Sequence, residues 1–189
     1  MFCIFPFEKI CIFVLISASL SPFMWEMIGI RKLRLYLETT VFNYYFDTDR
    51  DGHEDVVRLF EAIGTGLHEG YASEYVMAEL KRAPEPKRSD MLTLVEKYGI
   101  RVIAPSLDAV HLAERYIKNG IIPNAYRFDG LHIAAASIYG LDCVVSYNFK
   151  HINRAKARIL TAAVNHEEGY NSVVICTAKE VLDDEREGV

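Results

Sequence analysis

Several function classes are excluded by what this 189-residue chain has little of. Its four cysteines, Cys3, Cys11, Cys143 and Cys176, have no metal-ligand spacing and read as buried free thiols of a reducing compartment. Positive charge is not in excess: 21 Lys and Arg stand against 26 Asp and Glu, a net −5, which argues against a broad basic surface for nucleic acid. No repeat, low-complexity segment or internal linker interrupts the chain. What is present is apolar and aromatic residues at 51% and 12%, enough for a core in a chain of one-domain length.

The charge is unevenly placed. Residues 179–189 hold five acids against two bases, and without them 19 bases face 21 acids. The remaining bases cluster at Lys81-Arg82, Lys87-Arg88 and residues 150–158, which leaves room for a local phosphate-binding rim. Residues 1–26 differ from the rest. Residues 10–25 form an uncharged apolar run, shorter than the roughly 20 residues of a membrane helix and preceded by Glu8-Lys9. An over-extended start before Met27 is the preferred reading; an exported leader and an anchor are the others. The folded domain is expected over residues 31–184, with no membrane span in it and a cytoplasmic location.

From residue 33 the pattern alternates between strand and helix. Strands are expected at residues 33–37, 70–73, 101–104, 143–146 and 173–176. Helices are expected at 54–68, 74–82, 90–98 with Ser89 as cap, and from Ser106 to residue 119 with Val110, Ala113 and Ile117 inward. Others follow from Asp129 to a Gly140 cap, over the basic residues 150–160, and in a short acidic C-terminal segment. Short strands alternating with helices imply an α/β fold on a parallel sheet covered on both faces.

Three acids stand where such a sheet gathers ligands. Glu38 follows the first strand, Glu79 lies on the helix after the second, and Asp129 opens the helix before the fourth. Each has a plain alternative: a solvated strand-end acid, an exposed helical carboxylate, and an acid favoured by a helix dipole. Together they would raise one another's pKa and cost stability unless a cation neutralised them. A donor set of oxygens alone selects Mg²⁺ or Mn²⁺. Asn148 is a further oxygen donor, or a plain turn residue. Thr39 or Thr40 could bond a ligating carboxylate or a phosphate, and Lys150, His151 and Arg154 could hold phosphates, or be a solvated helix face. His132 reads as packed. Tyr44 and Tyr45 read as core, with base stacking as the alternative.

Leu35-Tyr36-Leu37-Glu38-Thr39-Thr40, residues 72–80 around Glu79, residues 129–136 from Asp129, and residues 146–152 around Asn148 resemble the successive motifs of PIN domains, among them the VapC-type toxins. The resemblance covers residues 32–182. It implies a three-layer α/β/α sandwich on a parallel sheet and Mg²⁺- or Mn²⁺-dependent cleavage of RNA, with Glu38, Glu79 and Asp129 as the catalytic acids. It also implies a cognate antitoxin partner and a homodimer. Glu38 stands where the family usually has Asp, and Asn148 fills its fourth acidic position, which puts a second ion in doubt. A PIN-like module that binds RNA or protein without cutting is the alternative. A hydrolase of small phosphate esters fits less well, since no strand end carries paired aspartates.

Overall fold

A computed structural model describes residues 32–187, with side chains to residue 183; the expectations for residues 1–26 lie outside the described residues. In chain order the elements are β1 (Arg34–Leu37), α1 (Thr39–Phe46), α2 (His53–Gly64), β2 (Glu69–Ser73), α3 (Glu74–Leu80), α4 (Lys87–Lys97) and β3 (Arg101–Ile103). There follow α5 (Leu107–Lys118), a 3₁₀ turn (Asn124–Tyr126), α6 (Arg127–Ile138), β4 (Cys143–Val145), α7 (Ala155–Glu167), β5 (Val174–Cys176) and α8 (Ala178–Glu187). All strand pairs are parallel, in the order β3-β2-β1-β4-β5. Among the described residues no helix is long and apolar enough to cross a membrane.

The sheet is apolar on both faces because both are covered. Leu35 and Leu37 point one way and Tyr36 the other, yet all three are fully buried, as are Val144 and Val145 on the neighbouring strand. Each such apolar side chain contributes about 1.5–3 kcal/mol. Helices α1, α2 and α8 form one packed group, and α5, α6 and α7 another, so the architecture is the expected α/β/α sandwich. Gly70 sits under close side-chain packing: a Cβ there would stand 2.5 Å from Ile100 Cδ1 and 3.2 Å from Ile63, so those side chains would have to shift. Gly140, at φ +61°, ends α6 in the left-handed conformation its position predicts.

The departures are local and have local causes. Residues 39–46 form a helix because the Glu38 carboxylate accepts from the Thr40 N–H and caps it. Helix α4 begins at Lys87, before Ser89, because Glu85 reaches forward to the Ser89 N–H and hydroxyl. Helix α5 is capped by Ser106 as expected, but its inward face is Ala109, Leu112, Ala113 and Tyr116; Val110 and Ile117 sit at the edge of that stripe. The basic residues 150–154 are a turn. There the Asn148 carbonyl takes the N–H groups of both Ile152 and Asn153, and α7 starts only at Ala155.

Candidate metal centre

The chain leaves β1 towards β2 and β3, then crosses to β4 on the other side, so the strand order reverses between β1 and β4. Crevices at such reversals, beyond the carboxyl ends of strands, are where open parallel sheets bind ligands. The register pairs Leu37 with Val145, which sets the next residues, Glu38 and Ser146, side by side. Glu38 is 4% exposed, and its Oε2 accepts from the Thr40 N–H at 3.1 Å, the Thr40 hydroxyl and the Ser146 hydroxyl at 3.0 Å. Thr40 Oγ1 in turn accepts from the Tyr147 N–H at 2.9 Å, and Ser146 Oγ from the Asn148 N–H at 3.0 Å. The carboxylate thus ties the ends of β1 and β4 together.

Glu79 arrives from α3, whose start is fixed by Ser73 accepting from the Val76 N–H. Its Oε2 accepts from the Thr39 hydroxyl and lies 3.5 Å from His132 Nε2. The other nitrogen of that imidazole, Nδ1, is 2.7 Å from the Tyr36 hydroxyl, which is 2.6 Å from Ser73 Oγ. A bare nitrogen would repel the Glu79 carboxylate, so Nε2 carries a proton whether the ring is neutral or charged. His132 therefore acts on Glu79 as a donor, anchored from behind by Tyr36, and is not an open ligand.

Donor atoms of Glu38, Glu79 and His132 all lie within 4.8 Å of one another. Two carboxylates at that separation repel by roughly 3.5 kcal/mol at an effective dielectric of 20. The protonation of the cluster is governed by burial and by His132. Burial pushes the Glu38 carboxyl up, against the opposing pull of His132 and its hydrogen bonds. Burial also acts on Glu79, but His132 and Thr39 outweigh it and hold that carboxyl below its ordinary value. Burial alone would lower the His132 imidazole, yet the surrounding Glu79, Glu38 and Asp129 raise it.

Asp129 stands in the first turn of α6, where its carboxyl is raised by burial and influenced by His132, His151, the Asn148 amide and Glu79. Its Oδ2 is buried with no hydrogen-bond partner. Carboxylates from three separate segments, one with an orphaned oxygen, suit a hard divalent cation. Glu38 and Glu79 stand close enough to share it, whereas the Asp129 carboxylate lies outside the group of donor atoms within 4.8 Å of one another and would have to close on the ion; Asn148 is already partly engaged, its Oδ1 accepting from the His151 N–H at 3.1 Å.

The expected phosphate binders fare differently. Thr39 serves Glu79. Lys150 is exposed, with its Nζ 5.7 Å from the Tyr126 ring centroid. His151 is buried and stacked on Tyr126 at 3.7 Å. Arg154 caps nothing with its side chain and donates from its guanidinium to the Ile121 carbonyl, bracing the loop before α6. Tyr44 stacks on Tyr147 at 4.0 Å, and Tyr45 packs edge-on against Phe60, so neither offers a face to a base. The sequence reading of His132 as packed is correct for its burial and misses its place beside Glu79. The spacing was the available signal: His132 lies three residues after Asp129 on one helix, hence on the same side.

No protein-family model matches the chain, and no curated protein does. Among solved structures the chain is similar to VapC20 of Mycobacterium tuberculosis, a sarcin–ricin loop cleaving toxin, at 12% identity and a TM-score of 0.45, covering 63% of this chain and 93% of that one. It is also similar to VapBC2 of Rickettsia felis, solved on a DNA fragment from their promoter, at 16% identity and a TM-score of 0.48, covering 75% and 96%.

Proposed function

We propose that the chain is a divalent-metal-dependent endoribonuclease of the PIN class and the toxin half of a toxin–antitoxin pair acting in the cytoplasm. The observation that supports this reading is the convergence of Glu38, Glu79 and the Asp129-bearing face of α6 at the reversal of strand order, with an orphaned Asp129 oxygen among them. Mg²⁺ or Mn²⁺, when bound, supplies positive charge opposite a phosphate and lowers the pKa of water. The chain's own part is to hold the acids still. Thr40 and Ser146 fix Glu38, Thr39 and His132 fix Glu79, and Asn148 adjoins Asp129. Lys150, exposed two residues beyond Asn148, is placed to meet the RNA backbone. An antitoxin would inhibit by laying a segment over these acids, and a homodimer is the expected assembly.

Cleavage of a mixed RNA pool by the full chain, in Mn²⁺ or in EDTA and beside Asp129→Asn, tests the reading. Cutting that needs both the metal and Asp129 upholds it; intact RNA with folded, metal-loaded protein overturns it. One observation favours a second reading, a module that binds without cutting. The fourth acidic position is a neutral Asn148 whose carbonyl oxygen already serves the turn. RNA binding indifferent to EDTA, with no products, would select it.

A further inference from the structure

The metal centre leaves a set of exposed rings unexplained. Among the described residues five aromatic side chains are more than a third exposed: Phe46, Tyr126, Phe128, Tyr139 and Phe149. Three of the five adjoin the acidic site in sequence. Phe128 precedes Asp129, Phe149 follows Asn148, and Tyr126 lies three residues before Asp129. Because the Asn148 amide interacts with the Asp129 carboxyl, the segments carrying Phe128 and Phe149 come together there. Single exposed rings need no explanation, whereas rings on two segments that meet beside one carboxylate call for one.

Two of these rings are backed from beneath. Tyr126 lies on the buried His151 imidazole, 3.7 Å between centroids and 26° between planes. Phe149 meets the edge of Tyr147, which is itself stacked on Tyr44. Both nitrogens of the His151 ring, itself 8% exposed, are buried without a hydrogen-bond partner, so a polar group is left open under the patch. The chemistry is aromatic and cationic: Lys150 Nζ stands 5.7 Å from the Tyr126 centroid. The exposed large aliphatics, Val102, Leu107, Ile159 and Val174, lie on β3, α5, α7 and β5, away from these segments in the chain. Supported rings next to a lysine match nucleobases joined by phosphates.

We infer that Tyr126, Phe128 and Phe149, with Lys150, form a shelf on which unpaired bases of single-stranded RNA stack beside Asp129. The inference rests on the nuclease reading for its ligand. Bases in a duplex are already stacked on one another, so the shelf selects unpaired nucleotides and disfavours helical RNA. Each ring contributes about tenfold in affinity, within the range that alanine substitution gives for base stacking.

Anisotropy of a labelled RNA oligonucleotide in EDTA, against an abasic strand of equal length and a duplex, measures the shelf apart from cleavage. The full chain is expected to bind the base-bearing single strand at least tenfold more tightly than either control. Phe128→Ala/Phe149→Ala should lose that preference with an unchanged melting temperature, and Phe128→Trp should keep it. Equal affinity of the unsubstituted protein for base-bearing and abasic strands overturns the shelf and leaves the rings to a protein partner. So does a double variant that retains the full preference. A parallel Mn²⁺ cleavage assay separates the two readings. Base-dependent binding without cleavage keeps the shelf and removes the nuclease, and cleavage without base dependence does the reverse.

Discussion

Glu38→Gln separates a carboxylate that holds the fold from one kept for a cation. The substitution preserves an oxygen that can accept from Thr40 and Ser146, so the cap of α1 and the tie between β1 and β4 survive. It removes the buried charge that stands within 4.8 Å of the Glu79 donor atom. The repulsion is roughly 3.5 kcal/mol at an effective dielectric of 20, and the nearby His132 offsets part of it. A net gain of about 1–2 kcal/mol is expected for the metal-free protein, or roughly 2–8 °C in melting temperature at this chain length. Addition of Mn²⁺ should invert the order. At a hundred times its dissociation constant a cation stabilises the unsubstituted protein by about 2.7 kcal/mol and the variant scarcely at all. Thermal melts in EDTA and in graded Mn²⁺ read both effects. A variant that melts several degrees below the parent in EDTA would show Glu38 to be a structural cap, and the case for the centre would fail with it.

Other expectations bear on the surroundings of the site. Tyr36→Phe deletes the hydroxyl between Ser73 and His132; leaving His132 Nδ1 buried without a partner, and Ser73 Oγ with only the Val76 N–H, costs about 1–3 kcal/mol. Loss of that anchor should also weaken Mn²⁺ binding roughly tenfold or more by calorimetry, as with partners that orient metal ligands elsewhere. Gly70→Ala forces a Cβ against Ile100 and Ile63 and should destabilise by about 1–3 kcal/mol, with Mn²⁺ affinity unchanged. At Glu180, burial pushes the carboxyl up, but Arg158 and the Thr177 N–H and hydroxyl outweigh it and hold it below its ordinary value. A depressed carboxyl stabilises the fold above its unfolded pKa, and that support is lost as pH falls through the folded one. Glu180→Gln should therefore flatten the loss of stability below about pH 4.3, read from urea melts across that range.

The fold was legible because its strands are short apolar runs between helices of clear period, and a sheet buried on both faces needs little else. Element ends were less legible where a side chain from outside the element sets them. Glu38, read as a candidate ligand, also starts α1, and Glu85, which the sequence did not single out, supports the first turn of α4. The start of α8 was not singled out in the sequence either, although Thr177 and Glu180 set it. Thr-Ala-Lys-Glu is a capping box, and the structure shows both reciprocal bonds. The face of α5 was read slightly off centre: Val110 and Ile117 do pack against the core, but the fully buried stripe runs through Ala109, Leu112, Ala113 and Tyr116.

The centre itself divides along the same line. Its candidate acids were proposed from position, since a residue just past a parallel strand or on a short next helix lies near the carboxyl edge of the sheet. What keeps them still could not, because Thr40, Ser146, Tyr36 and His132 act across 2 to 108 residues of sequence. Those partners explain how a crowded cluster folds without its cation. Glu38 gives its charge to hydroxyls and a backbone N–H, and Glu79 gives its own to Thr39 and His132. Among the three acids, Asp129 is the one with a fully buried oxygen that has no hydrogen-bond partner. A carboxylate cluster built only for stability would have no reason to leave that oxygen bare, since a hydroxyl or amide nearby would satisfy it. In the proposed centre that open position is the one an incoming cation would fill.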